Sequence, residues 1–330
     1  MGGTLQDTGG SDVTKTVFLF PGQGSQAIGM GEDFYQEFAV VREVFEMADE
    51  ITQSHLTRLC FKGPMDELTQ TVNLQPAVTA VNLGMMAALA EVGGDRFDVA
   101  CGHSLGEYAA LCAAGVVSPE DTLTLVKSRG ELMDMEARKH KGAMAAVLNL
   151  DFATVDALAE SLRDEGAPST RGVWAANHNG EKQIVVSGDP DSVKRFGAAA
   201  REKGGRAVPL RVSGAWHSPL IQGAEEPFRR VLESVSFHGP ARGVLFNVTA
   251  EPEGDPAAMK ENMANQLVSP VRWYDTMTRL LADGVTRFVE VGPGKVLSGI
   301  ARKIIPEGGP CEVVNISTMA ELESWMNVLA

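Results

Sequence analysis

The succession of predicted elements between residues 142 and 212 limits the possible folds more than any other feature of the sequence. Apolar runs and helical patterns follow one another there as strand, helix, strand, strand, helix and strand, which is the ferredoxin-like order. On either side, short apolar runs that end at glycine alternate with helices, a pattern typical of a doubly wound parallel sheet. We therefore predict a small domain inserted into a larger α/β domain.

This change of pattern divides the chain into three parts. Residues 1–15 are polar and are predicted to form a flexible N-terminal arm. Residues 16–141 and 213–330 are predicted to form one catalytic subdomain, and residues 142–212 the inserted one. Inside the insert, His178-Asn179-Gly180 is predicted to be the turn of a hairpin. The length of 330 residues suits two such folding units.

Charge and cysteine content restrict the partners and the cellular location. The chain has 29 Lys and Arg against 43 Asp and Glu, and its net charge of −14 argues against nucleic acid or an anionic membrane as the main partner. No apolar run reaches the ~18 residues that a membrane span needs, and the polar start does not resemble a secretory signal. The four cysteines form no CxxC pair, which makes a metal or redox site a weak interpretation. We expect a protein of the reducing cytoplasm.

The segment Gly102-His103-Ser104-Leu105-Gly106 is the strongest local signal for chemistry. It matches the G-x-S-x-G nucleophile elbow, with a predicted strand before it and a predicted helix after it. The glycines permit a turn tight enough to expose Ser104, and the start of the helix offers backbone N–H groups to a developing oxyanion. A chance turn rich in glycine and serine is the alternative. We predict that Ser104 is a nucleophile.

A serine nucleophile needs a neighbouring base, which directs attention to the histidines. The chain has six of them: His55, His103, His140, His178, His217 and His238. His217 lies in a loop bounded by glycine and proline, where the chain returns from the insert to the main sheet. From the residues alone, two interpretations of His217 are equally good: a packed core histidine and a general base. His103 adjoins Ser104 and is predicted to pack in support of the elbow.

Arg129 is the most informative charged residue. Helical spacing places it on a stripe of four apolar side chains: Leu125, Val126, Leu132 and Met133. An arginine in such a stripe is costly unless its guanidinium meets an anion. An internal salt bridge or a side chain that snorkels to solvent is one explanation. Next to a serine nucleophile, the more specific explanation is that Arg129 binds a carboxylate on the substrate.

The glycines that follow the first predicted strand allow two interpretations. Gly22, Gly24 and Ala27 match a G-x-G-x-x-A dinucleotide loop, although the region about 20 residues further on offers no clean acid for a ribose. A loop that brings backbone N–H groups beside the elbow explains the same glycines equally well.

Several motifs in a fixed order carry a resemblance to a known family. They are FPGQGSQ, GHSLGEYAAL, the Arg129 helix, GAWHSPLI, NQLVSPVRW and EVGPGKVLSG. From about residue 16 to the end, the chain resembles the malonyl-CoA:acyl carrier protein transacylases, the acyltransferases of fatty-acid synthesis. The resemblance implies an α/β-hydrolase-like large subdomain with a parallel sheet and an inserted ferredoxin-like small subdomain.

The same resemblance assigns roles to the residues of the motifs. It implies that Ser104 is the nucleophile and that His217 is the general base and acid, oriented by a backbone carbonyl near Gln266 instead of by a carboxylate. The backbone N–H groups of Gln23 and Leu105 would then form the oxyanion hole.

Two further residues would govern which acyl group is accepted. The resemblance implies that Arg129 holds the malonyl carboxylate. Trp216 stands before the catalytic histidine, where phenylalanine is frequent in malonyl-selective relatives, so a size change is expected at a specificity position.

The implied reaction is a ping-pong transfer. Malonyl-CoA would acylate the serine, and the phosphopantetheine thiol of an acyl carrier protein would accept the malonyl group, with no metal or redox cofactor. Three alternatives remain on the residues: a serine esterase or thioesterase, an acyltransferase of a polyketide pathway, and a non-catalytic module that binds acyl carriers.

Overall fold

Two β-sheets organise the part of the chain that the computed structural model describes, residues 14–163 and 170–330. One is a five-stranded parallel sheet and the other is a four-stranded antiparallel sheet. The predicted α/β fold with a smaller inserted unit is therefore confirmed. The predicted N-terminal arm lies outside the described residues up to residue 13, and the first strand already begins at Lys15.

The parallel sheet has the strand order β7-β2-β1-β8-β9. Its strands are β1 (Lys15–Phe20), β2 (Val99–Gly102), β7 (Gly243–Val244), β8 (Val285–Val291) and β9 (Glu312–Ile316). Because all five run the same way, their carboxyl ends meet at one edge of the sheet, where open α/β sheets place their ligands. The loop after β1, the elbow after β2 and the glycine turn after β8 all start at this edge.

Helices cover both faces of the parallel sheet. Alternate residues of β1 show this: Phe18 belongs to one hydrophobic cluster and Val17 to another on the opposite face. The helices before the insert are α1 (Glu32–Glu37), α2 (Ala39–Thr52), α3 (Leu56–Lys62), α4 (Met65–Leu68), α5 (Thr71–Glu91), α6 (Gly106–Ala113) and α7 (Pro119–Lys139). Those after it are a 3-10 helix (Pro219–Ala224), α10 (Glu225–Ser234), α11 (Pro256–Asn265), α12 (Trp273–Ala282), α13 (Val296–Ile304) and α14 (Met319–Leu329).

Helix α5 lies in the core of the large subdomain. Over the described residues it is the one helix long and apolar enough to cross a membrane, and 78% of its most apolar window is buried inside the protein. It packs against α2 and α7, and the approach to α7 is close. A Cβ on Gly130 of α7 would lie 3.1 Å from the carbonyl oxygen of Thr71. This approach brings Gln75 of α5 within reach of Arg129.

The antiparallel sheet has the order β4-β5-β3-β6. Its strands are β3 (Ala143–Leu148), β4 (Val173–Gly180), β5 (Gln183–Gly188) and β6 (Arg206–Pro209), and its helices are α8 (Phe152–Ser161) and α9 (Pro190–Glu202). The succession of two βαβ halves agrees with the ferredoxin-like order predicted for this region.

One local prediction inside the insert is wrong. His178, Asn179 and Gly180 belong to β4, and the turn of the hairpin is made by residues 181 and 182. The pairing of β4 with β5 shifts register twice, between Ala175 and Asn177 and between His178 and Gly180. Asparagine and glycine suit such bulges as well as they suit turns, which is why these residue types led to the wrong position for the turn.

Candidate active site

The serine of the elbow is held in a turn that only its glycines permit. Ser104 has a φ of 51°, in the left-handed region. A Cβ on Gly102 would lie 2.0 Å from the carbonyl carbon of Gly106. A Cβ on Gly106 would lie 1.9 Å from the carbonyl oxygen of Phe20 at the end of β1. Both glycines are therefore required by contacts with backbone atoms, which cannot move aside as a flexible side chain could.

Ser104 and His217 form a hydrogen-bonded pair. The Oγ of Ser104 lies 2.7 Å from Nε2 of His217, and Nδ1 of the same ring lies 2.9 Å from the carbonyl oxygen of Gln266. Because a carbonyl can only accept, Nδ1 carries the proton and Nε2 is free to accept the proton of the serine hydroxyl. The chain thus places a nucleophile, a base and an orienting carbonyl in line.

The surroundings of His217 keep its imidazole neutral. Burial, followed by the positive charge of Arg129, lowers the pKa of His217 to about 3. Both effects disfavour the imidazolium ion. A neutral ring is the form that can take a proton from Ser104.

Arg129 is buried, with 1% of its surface exposed, and its side chain points at the same serine. Its Nη2 lies 3.2 Å from Oγ of Ser104 and 3.1 Å from Oε1 of Gln266, and its Nη1 donates to Oε1 of Gln75 at 2.9 Å. Its Nε is buried without a hydrogen-bond partner in the described structure. All of these partners are neutral, so neither an internal salt bridge nor a snorkelling side chain describes Arg129. A carboxylate on a bound substrate would supply the missing counter-charge.

The loop after β1 lies directly against the elbow. A Cβ on Gly22 would come within 2.5 Å of the carbonyl oxygen of His103 and 3.3 Å of the backbone nitrogen of Leu105. This close approach accounts for Gly22 without a dinucleotide. Within the described ranges, the backbone N–H groups of Gln23 and Leu105 donate to no protein acceptor. Two backbone donors near Ser104 are therefore left free, as an oxyanion hole requires.

The serine opens into a cleft between the two subdomains. The cleft is lined by Gly22, Gln23, His103, Ser104, Met144, Asn177, Asn179, Val185, Leu210, Val212, Trp216, His217, Val296, Leu297 and Ile300. Trp216 lies beside His217, and its ring covers Gly214, where a Cβ would come within 2.5 Å of it. The tryptophan is thus part of the wall of the cleft, as its proposed role in acyl choice requires.

His103 is a packed histidine, as predicted. Its Nε2 lies 2.7 Å from Oδ1 of Asn179 in β4, and its ring meets Trp273 edge-on at 5.4 Å. Burial lowers its pKa. This contact joins the elbow to the inserted subdomain.

Two further polar residues, not predicted from the sequence, hold the elbow. Asn247 accepts the N–H of Ser104 through Oδ1 at 2.6 Å and donates from Nδ2 to the carbonyl oxygen of Gly102 at 2.7 Å. Glu107 accepts the N–H of Asn247 at 2.7 Å and accepts from Nε2 of Gln266. Burial raises the pKa of Glu107 to about 8. An acid in the otherwise apolar helix α6 was a signal that could have drawn attention to Glu107.

Comparison with known proteins gives consistent matches over nearly the whole chain. Residues 17–319 match the family model described as acyl transferase domain. A malonyl CoA-acyl carrier protein transacylase of Bacillus subtilis (strain 168) is 40% identical over 88% of this chain and 91% of its own length.

Solved structures give the same picture. An acyl-carrier-protein S-malonyltransferase from Bartonella henselae has a TM-score of 0.89 and 37% identity, covering 96% of this chain and 99% of that protein. A malonyl-transacylase solved in complex with a type II PKS acyl-carrier protein has a TM-score of 0.89 and 32% identity, covering 96% of this chain and 100% of that one.

Proposed function

The chain belongs to the malonyl-CoA–acyl carrier protein transacylases of the acyl transferase domain family, and we propose that it carries the malonyl group on Ser104 between the two substrates. It is an acyltransferase that moves malonyl from malonyl-CoA to an acyl carrier protein. The observation that best supports Ser104 as the carrier is the meeting of two groups at its side-chain oxygen. His217 lies 2.7 Å away and Arg129 3.2 Å away, so a base and a cation for the substrate carboxylate share one nucleophile.

In the first half-reaction, malonyl-CoA acylates the serine. Oγ of Ser104 attacks the thioester carbon while Nε2 of His217 takes the hydroxyl proton. The carbonyl oxygen becomes an oxyanion, which the N–H groups of Gln23 and Leu105 stabilise. The carbon–sulfur bond then breaks, and His217 returns the proton to the departing sulfur to release coenzyme A.

In the second half-reaction, the carrier protein removes the malonyl group. The phosphopantetheine thiol gives its proton to His217 and attacks the carbonyl carbon of malonyl-Ser104. The same N–H groups hold the second oxyanion. The ester bond breaks, and Oγ of Ser104 takes the proton back from His217. Every proton and bond is accounted for by the chain and its two substrates, so we propose that no metal or redox cofactor takes part.

Arg129 distinguishes this reaction from simple ester hydrolysis. A buried guanidinium without a carboxylate partner is suited to an acyl group that brings its own carboxylate. A serine esterase or thioesterase of neutral acyl groups would have no use for that charge. The transferase therefore explains a residue that the hydrolase does not.

We place the enzyme in the cytoplasm and in fatty-acid synthesis. The cysteines of the described chain are all free, which suits a reducing compartment. The net charge of −14 disfavours nucleic acid and anionic membranes as partners. A carrier protein of a polyketide pathway is the alternative acceptor, because one similar structure is a complex with such a carrier.

The test is mass spectrometry after incubation with malonyl-CoA. We expect a malonyl adduct on Ser104 that disappears when a phosphopantetheinylated carrier protein is added. Ser104→Ala should form no adduct, whereas Ser324→Ala, on the exposed side of α14, should behave as the wild type. An adduct on another residue would refute the assignment of Ser104, and rapid release of free malonate would identify a hydrolase. Parallel reactions with fatty-acid and polyketide carriers decide the pathway by their relative rates.

A further inference from the structure

Glu107 lies at the centre of the hydrogen bonds that support the site, although it touches none of the reacting atoms. It follows the elbow by one residue in helix α6, and 1% of its surface is exposed. Its Oε1 accepts the backbone N–H of Asn247 at 2.7 Å, and its Oε2 accepts from Nε2 of Gln266. The two residues it binds, Asn247 and Gln266, are those whose side chains hold the backbone of Ser104.

Gln266 connects Glu107 to all three groups of the proposed mechanism. Its Nε2 also donates to the carbonyl oxygen of Ser104 at 2.9 Å, its Oε1 accepts from Arg129 at 3.1 Å, and its backbone oxygen accepts from His217 at 2.9 Å. An amide side chain can be turned either way round, and its neighbours decide which way. Both oxygens of Glu107 act as acceptors here, Oε1 from the N–H of Asn247 and Oε2 from Gln266, so Glu107 turns the nitrogen of Gln266 toward itself and the oxygen toward Arg129.

Asn247 is the second connection. Its backbone is held by Glu107, and its side chain holds the N–H of Ser104 at 2.6 Å and the carbonyl oxygen of Gly102 at 2.7 Å. Through Asn247 and Gln266 together, Glu107 governs both backbone polar groups of Ser104. These bonds hold a residue whose φ of 51° is otherwise unfavourable.

We propose that Glu107 is the positioning residue that sets Ser104, His217 and Arg129 relative to one another, by fixing the orientation of Gln266 and the backbone of Asn247. The inference rests on the proposed function, since it assumes that Ser104 is the nucleophile. It adds a specificity role, because the amide oxygen that Glu107 turns toward Arg129 holds the guanidinium in place for the substrate carboxylate.

Glu107→Gln tests the acceptor requirement with almost no change of shape. The new NH₂ group would face either the N–H of Asn247 or the NH₂ of Gln266, so a donor would meet a donor. If Gln266 turns to relieve this, its NH₂ faces Arg129 and its oxygen faces the carbonyl of Ser104. Each arrangement disturbs the nucleophile, and the second also disturbs the arginine.

The experiment separates positioning from a general loss of fold. Glu107→Gln is compared with the wild type and with Glu136→Gln, which removes another buried carboxylate that pairs with Lys139 away from the cleft. Melting temperature is measured first. Labelling of Ser104 by phenylmethylsulfonyl fluoride then reports the nucleophile without any carboxylate or coenzyme A. Finally, kcat and KM are measured for malonyl-CoA and acetyl-CoA well below the melting temperature.

We expect Glu107→Gln to slow labelling and kcat for both acyl groups by about tenfold or more, because small displacements of reacting atoms are costly. KM should rise several-fold for malonyl-CoA and stay unchanged for acetyl-CoA, while Glu136→Gln matches the wild type in all of these. Wild-type labelling and an unchanged ratio of the two KM values in Glu107→Gln would overturn the inference and leave the proposed function intact. If the Ser104→Ala protein were labelled by phenylmethylsulfonyl fluoride as fast as the wild type, the proposed function would instead be refuted.

A double-mutant cycle gives an independent readout. If Glu107 acts through Gln266, then Glu107→Gln should add little to the loss of malonyl preference already caused by Gln266→Met, whereas additive effects would contradict the inference. Should Glu107→Gln not fold, Gln266→Met and Asn247→Ala test the two connections separately. Gln266→Met should then lose malonyl preference and Asn247→Ala should slow both acyl groups alike; identical profiles of the two variants would overturn the inference.

Discussion

Nη2 of Arg129 lies 3.2 Å from Oγ of Ser104, so the cation that would bind the substrate carboxylate is also a donor to the nucleophile. The same nitrogen lies 3.1 Å from the side-chain oxygen of Gln266. The guanidinium is therefore in position before substrate binds. The carboxylate of an acyl group that enters the cleft can then reach Arg129 while the other end of the same group lies at Ser104. Pre-positioning of this kind reduces the reorganisation that the reaction would otherwise require.

Replacing Arg129 should change the choice of acyl group instead of abolishing catalysis. Arg129→Ala removes the counter-charge of the malonyl carboxylate, so malonyl transfer should fall sharply while acetyl transfer is spared or improved. Arg129→Lys should restore malonyl transfer only in part, because lysine lacks the planar fork. The measurement is kcat/KM for malonyl-CoA and acetyl-CoA.

The matched control for Arg129 is Arg138→Ala, an exposed arginine of the same helix that pairs with Asp134. It should leave both rates unchanged. A proportional loss of malonyl and acetyl transfer in Arg129→Ala would mean that the arginine is structural.

Gly106, the second glycine of the elbow, should tolerate no side chain. In Gly106→Ala the new Cβ would lie 1.9 Å from the carbonyl oxygen of Phe20, so β1 and the elbow must separate. Overpacking of this kind costs about 1–3 kcal/mol or more of unfolding free energy. Urea unfolding should show this loss, and Ser104 should no longer react with phenylmethylsulfonyl fluoride at the wild-type rate.

Gly299→Ala is the control for the same substitution. Gly299 lies in α13, and nothing lies within 4 Å of the Cβ it would gain. Alanine should stabilise that helix by up to about 1 kcal/mol. If Gly106→Ala were as stable and as active as Gly299→Ala, the description of the elbow would be incorrect.

Trp216 should discriminate against a branched acyl group. Its ring forms part of the wall beside His217, so we expect it to meet a methyl group on the α-carbon of the bound acyl group. Rejection of one methyl group is worth about 1–3 kcal/mol, so malonyl-CoA should be preferred over methylmalonyl-CoA by tens- to hundreds-fold. Trp216→Ser should narrow the ratio of the two kcat/KM values, with malonyl transfer as the internal reference. An unchanged ratio would show that another residue sets the preference.

The parts of the site that could be predicted from the sequence are those with a local signal. The elbow needs Gly102 for a backbone contact within its own turn, which follows from the strand–turn–helix order, whereas it needs Gly106 because the end of β1 passes beside it. Gln75, Glu107 and Asn247 were overlooked because their roles depend on partners far along the chain. Glu107 meets Gln266 across 159 residues, and no local pattern encodes such a pairing.

In the fold, too, features that depend on distant residues carry no local signal in the sequence. Apolar residues continue at helical spacing from Phe34 to Ala48, but the chain breaks at Phe38, whose φ of −105° and ψ of 130° are extended. No glycine or proline marks that break. Strand β7 ends at Val244 although the apolar run continues to Phe246, and the N–H of Asn247 is taken by Glu107 instead of by a neighbouring strand. Tertiary hydrogen bonds decided an element boundary that local propensity could not.

The buried imidazole of His217 should make the protein less stable in acid. Its pKa in the folded protein is about 3, against an ordinary value of 6.5, because of burial and of the nearby charge of Arg129, with His103 also facing it. Between these two values the unfolded chain binds a proton that the folded chain does not, so the unfolding free energy decreases as the pH falls from about 6.5 toward 3.

The variant His217→Gln cannot titrate at this position and should lack this dependence of stability on pH. Urea unfolding at pH 7, 6, 5 and 4 should therefore show the wild type losing stability relative to His217→Gln at each step below pH 6.5, with a constant difference above pH 7. A difference that stays the same from pH 7 to pH 4 would mean that His217 is protonated as easily in the folded protein as in the unfolded chain, and the histidine would then not be the neutral base that the geometry at Ser104 requires.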